Sequence, residues 1–424
     1  MTPARTFVGP THRFDASLSL PGDKSLSHRA LILAAMAHGD SHLAGLGTGA
    51  DVASTIRCLR AFGVVVADDG ALRSPGIHDW TQPGATLDAG NSGTTLRMLT
   101  GAVSGRPFTT TLSGDTSLRL RPMRRLVDPL RALGATVDVS TEGTAPVTVH
   151  GTALVGAEVW IPVASAQVRT AFALAALQAD GESRLDSPPG FRNHTERWLT
   201  TLGLGRAIGP AGFLVQPGLV PELDLTIPGD PSSAAFLWTA AALTASRVTT
   251  PGVSLNPGRT GLLDVMTAMG ATVEVIVTGD ILGDPVGTVT VEGPVQHGMR
   301  IEGSLMVRTL DELPLVGLLG SVSDGETVVA DAAELREKES DRIAATVGLV
   351  NALGGDAAAT PDGFIVRSAV LRSGTFDGAG DHRMAMASAV AATITGTVVV
   401  IGMEAASVSW PGFAEALERV WSSR

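Results

Sequence analysis

Six stretches of the chain share one alternation of polar and apolar positions: a polar start, an Ala-rich apolar run of helical length, a Gly or Ser/Asp break, and a β-rich strand. They fall at Ser25–Leu43, Asn91–Leu112, Ser165–Leu185, Ser232–Val248, Asp311–Val329 and Asp381–Ile401. Their starts lie about 70 residues apart, too long for a solenoid repeat and suited to a supersecondary unit of several elements. A second, more amphipathic helix follows in each copy and ends at a Gly that supplies the left-handed closing conformation. These helices are predicted over Asp51–Phe62, Pro122–Leu133, Asn193–Leu202, Gly261–Met269, Ser340–Leu353 and, cut short, Gly412–Trp421. Alternating segments such as Ala135–Val139 with Val147–His150, or Ala271–Val277 with Thr288–Glu292, then read as hairpin strands. The unit is therefore strand, helix, strand, helix, strand, strand.

Six such units divide as three plus three. A strand-like Leu225–Ile227 meets Pro-Gly-Asp-Pro and opens the fourth unit, while Ser17–Leu20 has no earlier partner and matches that later strand. One lobe is thus predicted over residues 21–228 and the other over 1–20 plus 229–424, with a hinge at the two crossovers near 20–22 and 225–230. Polar residues lead the first helix of every unit, so the helix ends are expected to gather round one cleft suited to a ligand with several phosphate or carboxylate groups.

Length and charge agree with that picture. A chain of 424 residues is too long for one ordinary core. A net charge of −11 with no basic tract argues against a nucleic-acid partner. Any small anion must then be held by a local cluster of cations. The single cysteine, Cys58, excludes an internal disulfide and sits among helical neighbours as a core residue. Met1–Leu20 lacks the continuous apolar run of a signal peptide. Met384–Met403 is apolar enough to suggest a membrane span, but the break at Gly396 before Thr-Val-Val-Val-Ile reads as a buried helix and then a strand. The reading is a cytoplasmic protein without a membrane partner.

The candidate chemistry starts at Pro21–Ala30, PGDKSLSHRA. Asp23 or Ser25 caps the coming helix, and Lys24 and Arg29 stand in or beside its first turns. Cations oppose the helix dipole there unless an anion is bound, and with backbone N–H groups and the Ser25 and Ser27 hydroxyls they make a phosphate cradle. Of 31 basic residues only Lys24 and Lys338 are lysine, and both lie in dense polar motifs, which points to a requirement for a compact ammonium. Gly90–Leu96, GNSGTTL, is another helix start, with Asn91 as a donor and Gly93 allowing close approach. A helix starting at Pro122 would put Arg121 at its N-cap, ready to clamp a carboxylate or phosphate. Ser165 reads as a cap; Gln167 and Arg192 are polar without that excuse. In LREKESDRI, Lys338 and Arg342 are four apart and predicted to share a helix face with an anion between them. Asp311 is either a cap or, paired with Glu339, one proton acceptor and one donor, the two functions an addition–elimination needs. Asp381-His382-Arg383 completes the set.

The ordered motifs PGDKSLSHRA, GNSGTT, SLRLRPM, SAQ, RNHTE, RTLDELP, LREKESDR and GDHRMAM resemble the 5-enolpyruvylshikimate-3-phosphate synthase family across essentially the whole chain, in its second bacterial class. That resemblance implies an α/β fold, a two-lobed inside-out α/β barrel with three βαβαββ units per lobe. It also implies transfer of the enolpyruvyl group of phosphoenolpyruvate to the 5-hydroxyl of shikimate 3-phosphate, with release of phosphate and without metal or organic cofactor. By the same resemblance Lys24, Ser25, Arg29, Ser165, Ala166, Gln167 and Arg192 would hold shikimate 3-phosphate, with Asp311 and Lys338 beside it. Lys24, Asn91, Gly93, Arg121, Gln167, Arg342 and Arg383 would surround phosphoenolpyruvate. Asp311 would accept the proton of the attacking hydroxyl, Glu339 would protonate the methylene carbon and later remove that proton, and Lys24, reaching both substrates, would be the third catalytic residue.

Two positions depart from the family pattern. A Lys expected near the C-terminal Phe-Pro reads Val408, before Trp410-Pro411, and the Pro expected five residues after Gly93 reads Met98. Gly93 implies sensitivity to glyphosate, which an Ala there would crowd. The other readings are the sister transferase acting on UDP-N-acetylglucosamine, whose loop Cys has no counterpart here, and a non-catalytic anion-binding protein of the same fold. A monomer acting on two small anions is expected.

Overall fold

The six apolar runs are helices, and each begins where the sequence changes from polar to apolar. In the computed structural model, which describes residues 3–424, they are α1 (Lys24–Met36), α2 (Gly93–Val103), α3 (Ala166–Ala176), α4 (Pro231–Ala242), α5 (Leu313–Val322) and α6 (His382–Thr395). Short polar side chains cap five of them. Asp23, Ser92, Ser165, Asp230 and Asp381 each accept a hydrogen bond from a backbone N–H of the first turn. These helices are apolar on all sides and buried accordingly: α1 without a break from Leu26 to Met36, and α4 along its whole length. Gly101 of α2 meets Ala171 of α3 so closely that a Cβ would strike the Ala171 carbonyl, which sets the crossing of those two helices.

The sheets repeat one order. In four strands the first runs parallel to the second, and the third and fourth follow antiparallel, as in Leu87–Asp88, Thr109–Ser113, Val147–His150 and Thr136–Asp138. Two lead strands are exchanged between the halves of the sequence. Asp15–Ser17, which precedes α1, pairs with Arg247–Ser254, and Asp224–Thr226, which precedes α4, pairs with His38–Ala44. The sixth sheet has three strands, because Ala4–Val8 closes it antiparallel to Thr397–Ile401.

The chain forms two compact units. Unit 2 holds Gly22–Pro228 and also Asp280–Asp284; unit 1 holds the chain up to Pro21, Gly229–Gly279 and Pro285–Arg424. Met1 and Thr2, part of the segment assigned by sequence to the second lobe, lie outside the described residues. The sequence pattern does not predict the 280–284 tip. Its strands, Thr272–Ile281 and Asp284–Glu292, belong to a sheet of unit 1, yet Asp284 bonds His194 Nδ1 at 2.6 Å with both side chains fully buried. Periodicity reports strands but not what a hairpin tip packs against.

Two local expectations are corrected. No helix starts at Pro122: a 3-10 turn at Arg124–Leu126 precedes the helix Val127–Ala132, and Pro129 in its first turn is the real start marker. Arg121 therefore ends the 3-10 turn Leu118–Leu120 instead of capping a helix. Lys338 and Arg342 do not share a helix face. Lys338 is extended after the 3-10 turn Ala333–Glu337, and the helix Arg342–Ala352 begins only after Asp341, whose carboxylate accepts from the Ile343 and Ala344 N–H groups. Cys58 is buried in the helix Ala50–Arg60, and burial pushes its thiol up to about 12, which leaves it inert. Among the described residues no helix is long and apolar enough to cross a membrane.

Candidate active site

Each unit gathers its polar residues at the starts of its buried helices. In unit 2, Lys24 is the first residue of α1 and its ammonium lies 3.0 Å from Asp51 Oδ2. Ser25 follows it, and the Ser25 carbonyl accepts a hydrogen bond from Arg29 Nη1 at 2.9 Å. Arg29 is buried at 3% exposure, and its fork also donates to Thr195 Oγ1 and Thr170 Oγ1. Three of the bonds that fix Arg29 thus go to neutral acceptors.

Around α2 the side chains interlock. Asn91 accepts from Arg121 Nη2 at 2.7 Å and donates to Asp115 Oδ2 at 2.8 Å. Gln167, on α3, donates to Thr94 Oγ1 at 2.9 Å and accepts from Arg97 Nη1 at 2.5 Å. Gly93 sits between the two arginines: a Cβ added there would lie 2.9 Å from Arg97 Nη1 and 3.6 Å from Arg121 Nη1. Ser165 caps α3, Ala166 is its first residue, and Arg192 is half-buried just ahead of the helix His194–Thr201. Behind these groups runs a buried chain of neutral hydrogen bonds, from His28 Nδ1 to Thr55 Oγ1, to Thr95 Oγ1, to the Ser92 cap. Burial first, then the charges of Lys24 and Arg29, hold His28 well below its usual range, so it is neutral at pH 7.

Unit 1 is built the opposite way. Arg342, 1% exposed, lies among three carboxylates: Asp381 at 2.8 Å, Glu339 at 2.6 Å and Asp311 at 3.5 Å. Burial alone would lower the Arg342 pKa, but the three carboxylates outweigh it and raise it. Burial likewise pushes the Asp381 carboxyl up, and Arg342 and His382 more than reverse that, so Asp381 remains ionised. Ser340 Oγ donates to Asp381 as well. Arg383, second in α6, donates from Nη1 to the Asp311 main-chain oxygen at 3.1 Å and to Glu312 Oε1 at 3.4 Å. Asp311 itself is in a 3-10 turn, Leu310–Glu312, and makes no cap. Lys338 stands apart from this cluster, with its ammonium 3.2 Å from Glu334 Oε1.

The structure therefore brings together Asp311, Glu339, Arg342 and Arg383 in unit 1, and Asn91, Gly93, Arg121 and Gln167 in unit 2. Sequence reasoning passed over Arg97, Asp51 and Glu312. Arg97 was recoverable, because it is four residues after Gly93 and so on the same helix face. Asp51 looked like an ordinary first-turn acid, and Glu312 like one more charge beside Asp311.

Comparison with known proteins adds an independent finding. The family model described as EPSP synthase (3-phosphoshikimate 1-carboxyvinyltransferase) matches residues 8–417. A 3-phosphoshikimate 1-carboxyvinyltransferase of Roseiflexus castenholzii is 45% identical over 98% of this chain and 99% of its own length. Its counterpart from Herpetosiphon aurantiacus is 43% identical over 96% and 97%. The solved EPSP synthase of Acinetobacter baumannii superposes with a TM-score of 0.86 at 33% identity, covering 98% of each chain. The enolpyruvyl transferase NikO of Streptomyces tendae shares the fold, with a TM-score of 0.78 at 16% identity.

Proposed function

The chain belongs to the EPSP synthase family, and on that premise we infer that it is the transferase that moves the enolpyruvyl group of phosphoenolpyruvate to the 5-hydroxyl of shikimate 3-phosphate and releases phosphate. The observation that carries this beyond family membership is the Arg342 cluster. One buried guanidinium collects Asp311 and Glu339, two carboxylates suited to moving protons beside an anion.

In the proposed reaction Asp311 takes the proton of the 5-hydroxyl as that oxygen bonds to C2 of phosphoenolpyruvate, and Glu339 gives a proton to C3, which becomes a methyl group. The resulting tetrahedral ketal phosphate collapses when Glu339 removes a methyl proton, the C2–C3 double bond re-forms and the C2–O bond to phosphate breaks. Charge stabilisation and two proton shuttles suffice. Lys24, Arg121, Arg342 and Arg383, with Asn91, Gly93 and Gln167, are assigned to phosphoenolpyruvate. Shikimate 3-phosphate is assigned to Lys24, Ser25, Arg29, Ser165, Ala166, Gln167 and Arg192, with Asp311 and Lys338. Arg97 joins the phosphoenolpyruvate group through its 2.5 Å bond to Gln167. Gly93 supports glyphosate sensitivity, since the space beside it is bounded by two guanidinium groups. We further infer a cytoplasmic monomer acting on small anions without a membrane partner, and the acidic net charge supports the absence of a nucleic-acid partner.

Phosphate release from phosphoenolpyruvate, with and without shikimate 3-phosphate, tests the reading for wild type and Glu339→Gln. Release that requires shikimate 3-phosphate and collapses in the variant is expected. Release with UDP-N-acetylglucosamine instead would transfer the assignment to the sister enzyme, and silence with both acceptors would leave an anion-binding protein.

A further inference from the structure

Glu312 follows the proposed base Asp311 and takes part in no step above. It is 3% exposed, and its side chain makes no cap bond to the helix it precedes. Its Oε1 accepts from Ser232 Oγ at 2.6 Å and from Arg383 Nη1 at 3.4 Å, while Oε2 is buried without a hydrogen-bond partner. Ser232, in the first turn of α4, accepts from Arg259 Nη2 at 2.9 Å, and the same Nη2 reaches the capping carboxylate Asp230 at 2.9 Å. Asp230, Ser232 and Arg259 are all buried. One polar chain, Asp230, Arg259, Ser232, Glu312, Arg383, thus ties together the starts of α4, α5 and α6.

A buried carboxylate is costly unless a charge and hydrogen bonds offset it. Asp230 balances Arg259, so the charge that Glu312 answers is Arg383. The geometry on Arg383 is specific. Its Nη1 serves the Asp311 carbonyl and Glu312, and Nη2 stands 3.8 Å from Asp311 Oδ2. Nη1 is thereby used by the protein, and the edge formed by Nε and Nη2 is the one a planar oxyanion would take as a bidentate partner.

We propose that Glu312 is a positioning residue for Arg383: anchored by Ser232, it fixes the rotation of the guanidinium and so sets the affinity for phosphoenolpyruvate, not the rate of the chemical steps. This rests on the assignment of Arg383 to phosphoenolpyruvate made above. The test is steady-state kinetics with both substrates varied, plus thermal unfolding, for Glu312→Ala, Glu312→Gln and Ser232→Ala. The Ala variant is expected to raise KM for phosphoenolpyruvate about 30-fold while kcat and KM for shikimate 3-phosphate stay within about threefold. Gln keeps the Oε1 acceptor and should restore most of that loss; Ser232→Ala should raise the same KM about threefold, so the inference stays testable if the Ala variant fails to fold. An unchanged KM for phosphoenolpyruvate in a folded variant of an active enzyme overturns the inference alone, as does an equal rise for both substrates, the mark of general loosening. A wild type that releases no phosphate overturns the activity reading and this inference with it.

Discussion

The two units hold their candidate ligand cations in different ways. In unit 2 the cations Arg29, Arg97 and Arg121 donate to hydroxyls, amides and carbonyls, and Lys24 pairs with Asp51. In unit 1, Arg342 is surrounded by carboxylates. Neutral acceptors hold a cation in place without cancelling its charge, which suits the binding of anions. Carboxylates cancel the charge but stand ready to exchange protons, which suits chemistry.

The largest expected effect tests that division directly. Glu339→Gln should lower kcat by about 10²–10⁴ in single-turnover phosphate release, whereas Asp51→Asn, an equal loss of charge in unit 2, should cost less than about tenfold. Equal losses would end the distinction. Next comes stability. Asp381→Asn removes the charge of the most deeply buried carboxylate on a buried Arg342 and should destabilise by about 3–5 kcal/mol in urea, against about 1–2 kcal/mol for Thr195→Val, which removes only a neutral acceptor of Arg29.

A smaller effect probes the anion side. Gly93→Ala places a methyl 2.9 Å from Arg97 Nη1, so that guanidinium must shift. KM for phosphoenolpyruvate should rise about tenfold, or ~1.4 kcal/mol, and the glyphosate concentration for half-inhibition should rise further. A variant with unchanged KM would show that Arg97 yields without consequence.

Protons separate the units most gently. His28 and His194 of unit 2 are lowered from 6.5, both chiefly by burial, with Asp284 opposing the effect at His194. Below pH 6.5 the unfolded chain takes up protons that the folded chain refuses. Stability present at neutral pH is therefore lost as pH falls from about 6.5, by at most ~1.4 kcal/mol per pH unit for each histidine. Asp381 is lowered from 3.8, so its contribution persists until the pH falls through that lower value. Urea midpoints between pH 8 and 5 should slope downward toward acid, and His28→Gln should flatten the slope. A profile that is level for wild type would mean both rings protonate in place.

The repeat was legible because each unit restarts with a polar stretch followed by an apolar helix, and in five of the six a short side chain, Asp23, Ser92, Ser165, Asp230 or Asp381, caps that helix. Family motifs then identified the residues about Arg342. What stayed hidden depends on packing. Pro122 and Pro129 are equally good helix openers on paper, and only the 3-10 turn at Arg124–Leu126 selects the second. Lys338 and Arg342 have helical spacing, but the Asp341 cap starts the helix between them. Nothing about Asp284 as an isolated acid announces that it meets His194, 90 positions earlier in the chain.

The strand Ala4–Val8 also bears on the order in which the two units can fold. Its partner Thr397–Ile401 leaves the ribosome only after the whole of unit 2, and Arg5 bonds Glu415 across 410 positions. Apart from the short 280–284 segment, unit 2 is one continuous stretch, whole by the time Pro228 has emerged. Unit 1 must wait for Thr397–Ile401 with its first strand already exposed. A nascent chain stalled once Pro228 has cleared the ribosome should thus hold a largely protease-resistant unit 2 behind a cleavable N-terminal tail, and only a chain in which Thr397–Ile401 has also emerged should protect that tail.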